Sequence, residues 1–387
     1  MDAVWAANRA YTPGMCLGVV DRSVKLIRCY GKTVPGPNGQ RPTQDTLWEI
    51  GSASKTFTAT LFALRNSHPA HAKTVVPLRS RIAGYVPAVD GKVNIPRRLT
   101  LKTLAQHYAG LPQSFTDWSG ITSIDALYTT LSECYVPGNA CQVVNNPGST
   151  WSYSNLGFDW LGAIVAHHDG FRAGSVSPWE QDLAKAVLNP LGMSATRSTT
   201  NWNLPIRSAV FHARKARGTR DTGGTFTPVT NETLAGGAFA DPAGGLWSSA
   251  RDMMTWLQYS RGAVGPANLH AALGLLWQNS DIWRTRGQPS PTVGGVPGTP
   301  SSIGLAWNIA ASDKPGDPAM VAKGGTTSGF QSYVGFPLDG TRRAAFVLVN
   351  VGGPDQSPTG VLPTLVGCTL LRTLPPVKST LPCAPGL

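Results

Sequence analysis

Gly51-Ser52-Ala53-Ser54-Lys55-Thr56-Phe57 is the stretch that decides the fold, because it places a serine and a lysine three residues apart. Residues 56–65 lack Gly and Pro and carry apolar side chains at helical spacing, which puts Ser52 at the start of a predicted helix. Positions i and i+3 share one helix face, so the two side chains are neighbours. A lysine whose pKa is lowered by burial or nearby cations can take the proton of a serine nucleophile. Taken alone, the simpler interpretation is a helix cap followed by a solvated lysine.

A second motif, Tyr153-Ser154-Asn155, precedes another predicted helix. A phenol acts as an acid or a base where neighbouring cations stabilise the phenolate. An Asn side chain can donate to a substrate carbonyl and accept from an amide N–H. The alternative is an Asn that caps the helix beside a packed Tyr.

The third motif, Lys323-Gly324-Gly325-Thr326, lies at the end of an apolar predicted strand. Glycines in a strand allow another backbone or a ligand to approach closely, so we interpret Gly325 as part of a binding surface. The backbone N–H of Thr326 is a candidate oxyanion donor, with the N–H of Ser52 as the second donor.

The six cysteines form three sequence-local pairs, and we predict the disulfide bonds Cys16–Cys29, Cys134–Cys141 and Cys368–Cys383. In a hairpin centred between Arg22 and Ser23 the members of the first pair lie opposite each other. The alternative is six buried free thiols. Three disulfides predict an oxidising compartment, periplasmic or secreted. Residues 1–5 lack a basic region and an apolar stretch, so we expect that a leader has been removed.

The net charge of +12 comes from scattered Lys and Arg, with no basic run between aromatics, which argues against a nucleic-acid partner. The charge predicts attraction to a cell-wall polymer or a membrane surface, or serves solubility alone. No stretch has the length of a transmembrane helix. The pair His167-His168 is better explained as helix surface than as metal ligands, because adjacent helical residues point in different directions. We therefore expect no metal and no cofactor.

Strand and helix patterns predict an α+β fold in which the two ends of the chain build one antiparallel sheet covered by helices. Residues 1–75 and 246–387 form this sheet lobe, and 76–245 form a mainly helical lobe, with a cleft between them. The predicted strands are a hairpin at 14–30 and four late segments, Ile303–Ile309, Met320–Lys323, Gln331–Phe336 and Ala344–Asn350. The predicted helices include 101–108, 124–131, 157–168, 179–188, 250–257 and 360–372.

Further segments accompany the three motifs: Gln106–Pro112, Asn189–Met193 and Gly244–Met253. On these residues nearly the whole chain resembles the serine penicillin-recognising family, which comprises low-molecular-weight penicillin-binding proteins, class C β-lactamases and related esterases. On Tyr30–Gly36, Tyr153–Asp159 and Asp252–Trp256 it looks most similar to the AmpH-type D-alanyl-D-alanine carboxypeptidase/endopeptidases. The resemblance implies a β-lactamase/transpeptidase-like fold.

By that resemblance, the site residues have defined roles. Ser52 is the acylated nucleophile, and Lys55 and Tyr153 share the proton transfers. The substrate is held by Asn155, Lys323, Gly325 and Thr326, of which Lys323 also supports Tyr153 and attracts the substrate carboxylate. The implied activity is that of a DD-peptidase that acts on peptidoglycan peptides and binds penicillins.

One departure bears on the substrate. The family's third motif is usually Lys-Thr-Gly, and here Gly324 stands in place of the threonine whose hydroxyl helps to bind a carboxylate. Unless Thr326 or Thr327 replaces that hydroxyl, carboxylate recognition weakens. The alternatives are therefore a class C-like β-lactamase or a carboxylic ester hydrolase, and, from another class, a catalytically silent binding protein.

Overall fold

The computed structural model describes most of the chain, namely residues 1–22, 24–67, 77–85, 95–139, 141–166, 176–202, 205–229, 237–278, 281–282, 301–310, 319–341, 343–352 and 358–373. Its helices are α1 Asp2–Asn8, α2 Ser54–Ser67, α3 Leu101–Ala105, α4 Ile124–Glu133, α5 Asn155–Ala166, α6 Pro178–Leu183, α7 Thr199–Trp202, α8 Pro205–Arg214, α9 Asp241–Gly244, α10 Ala250–Ser260, α11 Ala267–Gln278 and α12 Pro358–Thr373. Of these helices, none within the described ranges is both long enough and apolar enough to span a bilayer.

The strands are β1 Gly14–Asp21, β2 Val24–Gly31, β3 Leu47–Glu49, β4 Arg197–Ser198, β5 Thr219–Asp221, β6 Phe226–Pro228, β7 Leu246–Ser249, β8 Asp281–Ile282, β9 Ser301–Ile303, β10 Asn308–Ala310, β11 Met320–Thr326, β12 Gln331–Pro337 and β13 Ala344–Val349. An eight-stranded antiparallel sheet has the order β2-β1-β13-β12-β11-β10-β9-β8. It joins the first and last strands of the chain, as predicted. Two small sheets, β3-β7-β4 and β5-β6, were not predicted.

The large sheet is covered on both faces. Side chains alternate between the two faces of a strand, and in β1 the residues Met15, Leu17 and Val19 belong to one apolar cluster, whereas Cys16 and Val20 belong to the other. Helix α12 packs against β11, β12 and β13, and α10 packs against β1, β2 and β13. Burial on both faces explains why these strands are nearly continuous apolar runs.

Two of the three predicted disulfides are present. Cys16 pairs with Cys29 across the β1–β2 hairpin, with 4.1 Å between their Cα atoms, and Cys134 is bonded to Cys141. The alternative of six free thiols is therefore wrong. The predicted third bond involves Cys383, which lies outside the described residues, so that pairing stays a prediction.

Helix α2 lies at the centre of the molecule, where it packs against α5, α9 and α11. Residues 53–64 are all buried, as expected for a helix surrounded by protein. Its buried threonines are hydrogen-bonded to carbonyl oxygens: Thr58 donates to Pro242, and Thr60 to Thr56. This packing holds the segment that carries Ser52 and Lys55.

Some predicted elements are wrong in their limits. Ile303–Ile309 is not one strand, because Ala306 has φ +67° and the chain turns between β9 and β10. The predicted helix 101–108 ends at Ala105, since His107 has φ +62°. The α+β architecture is as predicted, whereas the lobe division at 75/76 and 245/246 stays a prediction.

Candidate active site

Ser52 lies on a turn of 3-10 helix, Gly51–Ala53, that leads directly into α2. This turn is pressed against β11: a Cβ atom added to Gly325 would lie 1.9 Å from the Ile50 carbonyl oxygen. The Ser332 hydroxyl of β12 donates a 2.6 Å hydrogen bond to the same oxygen. Only glycine therefore allows this approach, and the third motif is fixed against the first.

The same contact brings the two candidate oxyanion donors to one place. Gly51 has φ +50°, and a Cβ atom on it would lie 2.8 Å from the Thr326 backbone nitrogen. Ser52 is in the first turn of its helix, where backbone N–H groups lack intrahelical acceptors. The amides of Ser52 and Thr326 thus lie on adjoining segments, as an oxyanion hole requires.

Ser52 Oγ contacts both candidate bases. Lys55 Nζ donates to it over 3.2 Å, and the Tyr153 hydroxyl donates to it over 2.7 Å. Both distances are within the reach of proton transfer. The structure therefore joins the first and second motifs at one hydroxyl group.

Lys55 is completely buried, which contradicts the alternative of a solvated lysine. Its Nζ donates three hydrogen bonds, to Ser52 Oγ, to Asn155 Oδ1 (2.7 Å) and to the Ala243 carbonyl (2.6 Å). Burial lowers the pKa of Lys55 to about 7, and the negative charge of Asp159 opposes this shift. A lysine with that pKa exchanges its proton readily near neutral pH.

Tyr153 lies close to two lysines. Lys55 Nζ is 5.0 Å and Lys323 Nζ is 4.9 Å from the centre of its ring. Lys323, which is buried, also hydrogen-bonds the Tyr153 side chain. Burial and the charge of Lys55 lower the pKa of Lys323, against the opposing influence of the phenol. The three motifs thus form one hydrogen-bonded group.

Asn155 is the first residue of α5, and its backbone N–H donates to the Gln113 carbonyl over 2.8 Å. Its Oδ1 accepts from Lys55, which fixes the orientation of the side-chain amide. No described residue accepts a hydrogen bond from its Nδ2 group, so that donor can point towards a substrate carbonyl.

His107 is a neighbour of the site that the sequence motifs did not include. Its ring centre lies 4.4 Å from that of Tyr153, and its Nδ1 accepts from the Ser154 N–H over 3.1 Å. Its backbone carbonyl accepts from the Ser152 N–H over 2.8 Å. Burial and the charges of both lysines hold the pKa of His107 well below its usual value. A neutral His107 therefore accepts hydrogen bonds from the backbone on both sides of Tyr153. In the sequence, the segment 106–112 was the feature that could have pointed to this residue.

Gly324 is not required by the packing. A Cβ atom added there would meet nothing closer than the Ser332 carbonyl oxygen, at 3.7 Å, and its φ is not in the left-handed region. The backbone at this position thus admits the Cβ atom of the threonine that the family usually carries. Thr326, two residues later on the same strand face, is exposed.

Within the described ranges, no group of three or more His, Cys, Asp and Glu side chains is arranged to hold a metal ion. His167-His168 lies outside these ranges.

The chain is similar to known proteins along most of its length. A family model described as Beta-lactamase matches residues 4–362. The D-alanyl-D-alanine-carboxypeptidase/endopeptidase AmpH of Escherichia coli (strain K12) is 27% identical over 342 residues, which cover 87% of this chain and 79% of that protein.

Solved structures are similar in fold. One described as a class C beta-lactamase has a TM-score of 0.72 at 20% identity and covers 97% of this chain and 95% of its own. A class C beta-lactamase in complex with cefoxitin has a TM-score of 0.70 at 21% identity, with 96% of each chain covered. The predicted β-lactamase-like α+β fold is thereby confirmed.

Proposed function

The chain belongs to the beta-lactamase family, and we propose that this hydrolase is a serine DD-peptidase, a carboxypeptidase/endopeptidase that acts on peptidoglycan peptides and is acylated by penicillins. One observation carries the proposal. Ser52 Oγ accepts hydrogen bonds from Lys55 Nζ and from the Tyr153 hydroxyl, and Lys55 has a pKa of about 7. A serine with such neighbours is an activated nucleophile.

Acylation begins with the neutral form of Lys55. Its lone pair takes the Ser52 proton, directly or through the Tyr153 hydroxyl, as Oγ bonds to the substrate carbonyl carbon. The carbonyl oxygen becomes an oxyanion that the N–H groups of Ser52 and Thr326 stabilise. Asn155 Nδ2 binds the amide carbonyl of the substrate backbone and holds the scissile bond beside Oγ.

The second half of the reaction returns the proton. The carbon–nitrogen bond to the terminal D-Ala breaks, and the departing amine takes a proton from Tyr153, which Lys55 and Lys323 support. Water then adds to the ester carbonyl, the ester bond to Oγ breaks, and Ser52 regains its hydroxyl proton. Lys323 attracts the substrate carboxylate by its charge.

The choice of substrate class is supported by the relatives. The similar E. coli protein is named as a D-alanyl-D-alanine carboxypeptidase/endopeptidase, and one similar structure holds cefoxitin. A D-alanyl-D-alanine peptide and cefoxitin each contain an acyl carbonyl that a serine nucleophile can attack. A class C-like β-lactamase uses the same acylation and differs in how fast water releases the acyl group.

A second candidate, a carboxylic ester hydrolase, is favoured by one specific observation. Gly324 removes the hydroxyl that the family uses for a substrate carboxylate, although a Cβ atom at this position would meet no close neighbour. An ester substrate needs no such contact. The two candidates therefore differ in whether a carboxylate on the substrate increases the rate.

The proposed compartment is periplasmic or secreted. The bonds Cys16–Cys29 and Cys134–Cys141 support it, because disulfides persist in oxidising surroundings. The net charge of +12 would favour contact with anionic cell-wall or membrane surfaces.

The test is intact-mass spectrometry after mixing with a penicillin, followed over time, with Ser52→Ala as control. A persistent adduct on the wild type alone, together with release of D-Ala from a D-Ala-D-Ala peptide, would support the DD-peptidase. Penicillin hydrolysis without a lasting adduct would indicate a β-lactamase. Cleavage of a short-chain nitrophenyl ester, with no adduct, would support the esterase.

Two outcomes would overturn the proposed chemistry. Penicillin binding without an adduct or turnover would indicate a silent binding protein. An unchanged reaction in Ser52→Ala would show that another residue is the nucleophile.

A further inference from the structure

Asp159 is a buried acid close to the site to which the acylation mechanism gives no role. It lies on α5 four residues after Asn155, and residues at this spacing share one helix face. Asn155 on that face accepts a hydrogen bond from Lys55 Nζ. The Asp159 carboxyl is therefore on the side of α5 that faces the catalytic lysine.

The surroundings of Asp159 give it little compensation for burial. The residue is 0% exposed, and no described side chain hydrogen-bonds either of its carboxyl oxygens. It lines a small cavity of about 20 Å³ whose other walls are mostly apolar, including Leu127, Trp179 and Phe239. A buried carboxyl without partners is costly, so it is expected to interact with a charge.

Ala243 of α9 lies close to both groups. Its carbonyl oxygen accepts a hydrogen bond from Lys55 Nζ over 2.6 Å. Its N–H, which donates to the Ala240 carbonyl over 3.2 Å, also interacts with the Asp159 carboxyl. Burial raises the pKa of Asp159 and the charge of Lys55 opposes that rise, so each group favours the charged form of the other.

The other charges around this pair are few. Asp241 of α9 faces Asp159 as a like charge, Lys323 of β11 lies beside the Tyr153 ring, and the cation whose charge acts on Asp159 is Lys55. His107 is neutral. Lys55 is consequently the cation that can compensate Asp159, and the two groups titrate as a pair.

We propose that Asp159 is a positioning residue that acts through Lys55: its buried carboxylate stabilises the ammonium form of that lysine and so sets the pH range in which Ser52 is activated. The inference rests on the proposed function, because it takes Lys55 as the base. Burial lowers the pKa of Lys55, and the negative charge of Asp159 opposes that lowering. With the carboxylate present, the lysine both accepts the Ser52 proton and returns it near pH 7.

The test is the pH dependence of acylation in Asp159→Asn, measured with a penicillin or a nitrophenyl ester from about pH 5 to about pH 9. Without the carboxylate the ammonium is less stable, so the acid limb shifts by about one pH unit to lower pH. The relative rate on that limb then rises about tenfold. The plateau at high pH stays within about twofold of the wild type, because Lys55 is neutral in both proteins.

Two variants serve as controls. Asp182→Asn removes a carboxylate that forms a 2.8 Å ion pair with Arg65. Arg65 lies ten residues after Lys55 on helix α2, so this change should leave the acid limb in place. Asp159→Glu keeps the negative charge next to the small cavity that Asp159 lines, and returns the limb towards the wild-type position.

An unmoved acid limb in Asp159→Asn would overturn the inference, and so would a lowered plateau with an unmoved limb, which indicates a merely structural role. Failure of the proposed function is distinguishable, since it appears in the wild type as an absence of Ser52-dependent acylation. In that case NMR titration of lysine Cε signals, assigned with Lys55→Arg, still measures whether Asp159→Asn lowers the pKa of Lys55. An unchanged pKa there also overturns the inference.

Discussion

The Tyr153 hydroxyl lies 2.7 Å from Ser52 Oγ, although 101 residues separate the two in the chain. The start of helix α5 and the hydrogen bonds of His107 to the backbone of Ser152 and Ser154 hold the phenol in this position. The contact makes Tyr153 the group that can pass a proton between Ser52 and the leaving amine.

Replacing Tyr153 by Phe removes this proton relay and keeps the aromatic ring beside Lys55 and Lys323. We expect the acylation rate to fall by about 10²–10⁴-fold, the usual contribution of general acid–base catalysis. Stopped-flow or mass-spectrometric acylation measures it. Tyr259→Phe is the matched control, because its buried hydroxyl donates to the Leu269 carbonyl and contacts Thr60, neither of which belongs to the three motifs; it should lower stability by about 1 kcal/mol and leave the rate unchanged. A Tyr153→Phe enzyme as fast as the wild type would assign the whole proton transfer to Lys55.

The pH profile of the wild type follows from Lys55. Burial lowers its pKa from 10.5 to about 7, so the neutral, basic form grows as the pH rises through 7. The acylation rate should therefore increase from acid pH and level off above about pH 8. Lys55→Arg should abolish acylation at every pH, because a guanidinium is not deprotonated in proteins. A rate that declines as the pH rises through 7 would contradict the assignment of Lys55 as the base.

One added methyl group should have different effects at two adjacent glycines of β11. In Gly325→Ala the Cβ would lie 1.9 Å from the Ile50 carbonyl oxygen, whereas in Gly324→Ala the nearest atom is 3.7 Å away. We expect Gly325→Ala to lower the free energy of unfolding by about 1–3 kcal/mol and to impair acylation by displacing the Ser52 turn. Gly324→Ala should leave both within error. Urea unfolding and acylation rates decide the matter, and equal stabilities would show that the turn does not press on β11.

Local patterns predicted much of this molecule from the sequence, because their spacing reports neighbours directly. The i, i+3 spacing of Ser52 and Lys55 and the opposition of Cys16 and Cys29 in a hairpin are of this kind. The break of Ile303–Ile309 into two strands could not be predicted. The chain turns at Ala306, whose N–H donates to the Ala105 carbonyl of a distant segment.

The same limit applies to the site. The motif residues could be named from the sequence because each motif is short and distinct. The interaction of Asp159 with Lys55 depends on how α5 packs against α2. The contact of His107 with Tyr153 depends on how α3 packs against α5. Such tertiary contacts have no local sequence pattern.

Gly324→Thr tests whether the missing hydroxyl determines the substrate. A Cβ atom fits at this position, and a hydrogen bond to a carboxylate contributes about 1.5–3 kcal/mol. Acylation by a penicillin, which carries a carboxylate, should therefore rise about tenfold or more. Hydrolysis of a short nitrophenyl ester, which carries none, should stay constant. Gly324→Val adds the same bulk without the hydroxyl and should increase neither rate. Equal penicillin rates in the wild type and Gly324→Thr would mean that another group, with Thr326 the nearest exposed hydroxyl on that strand face, already binds the carboxylate, and the esterase would lose its structural support.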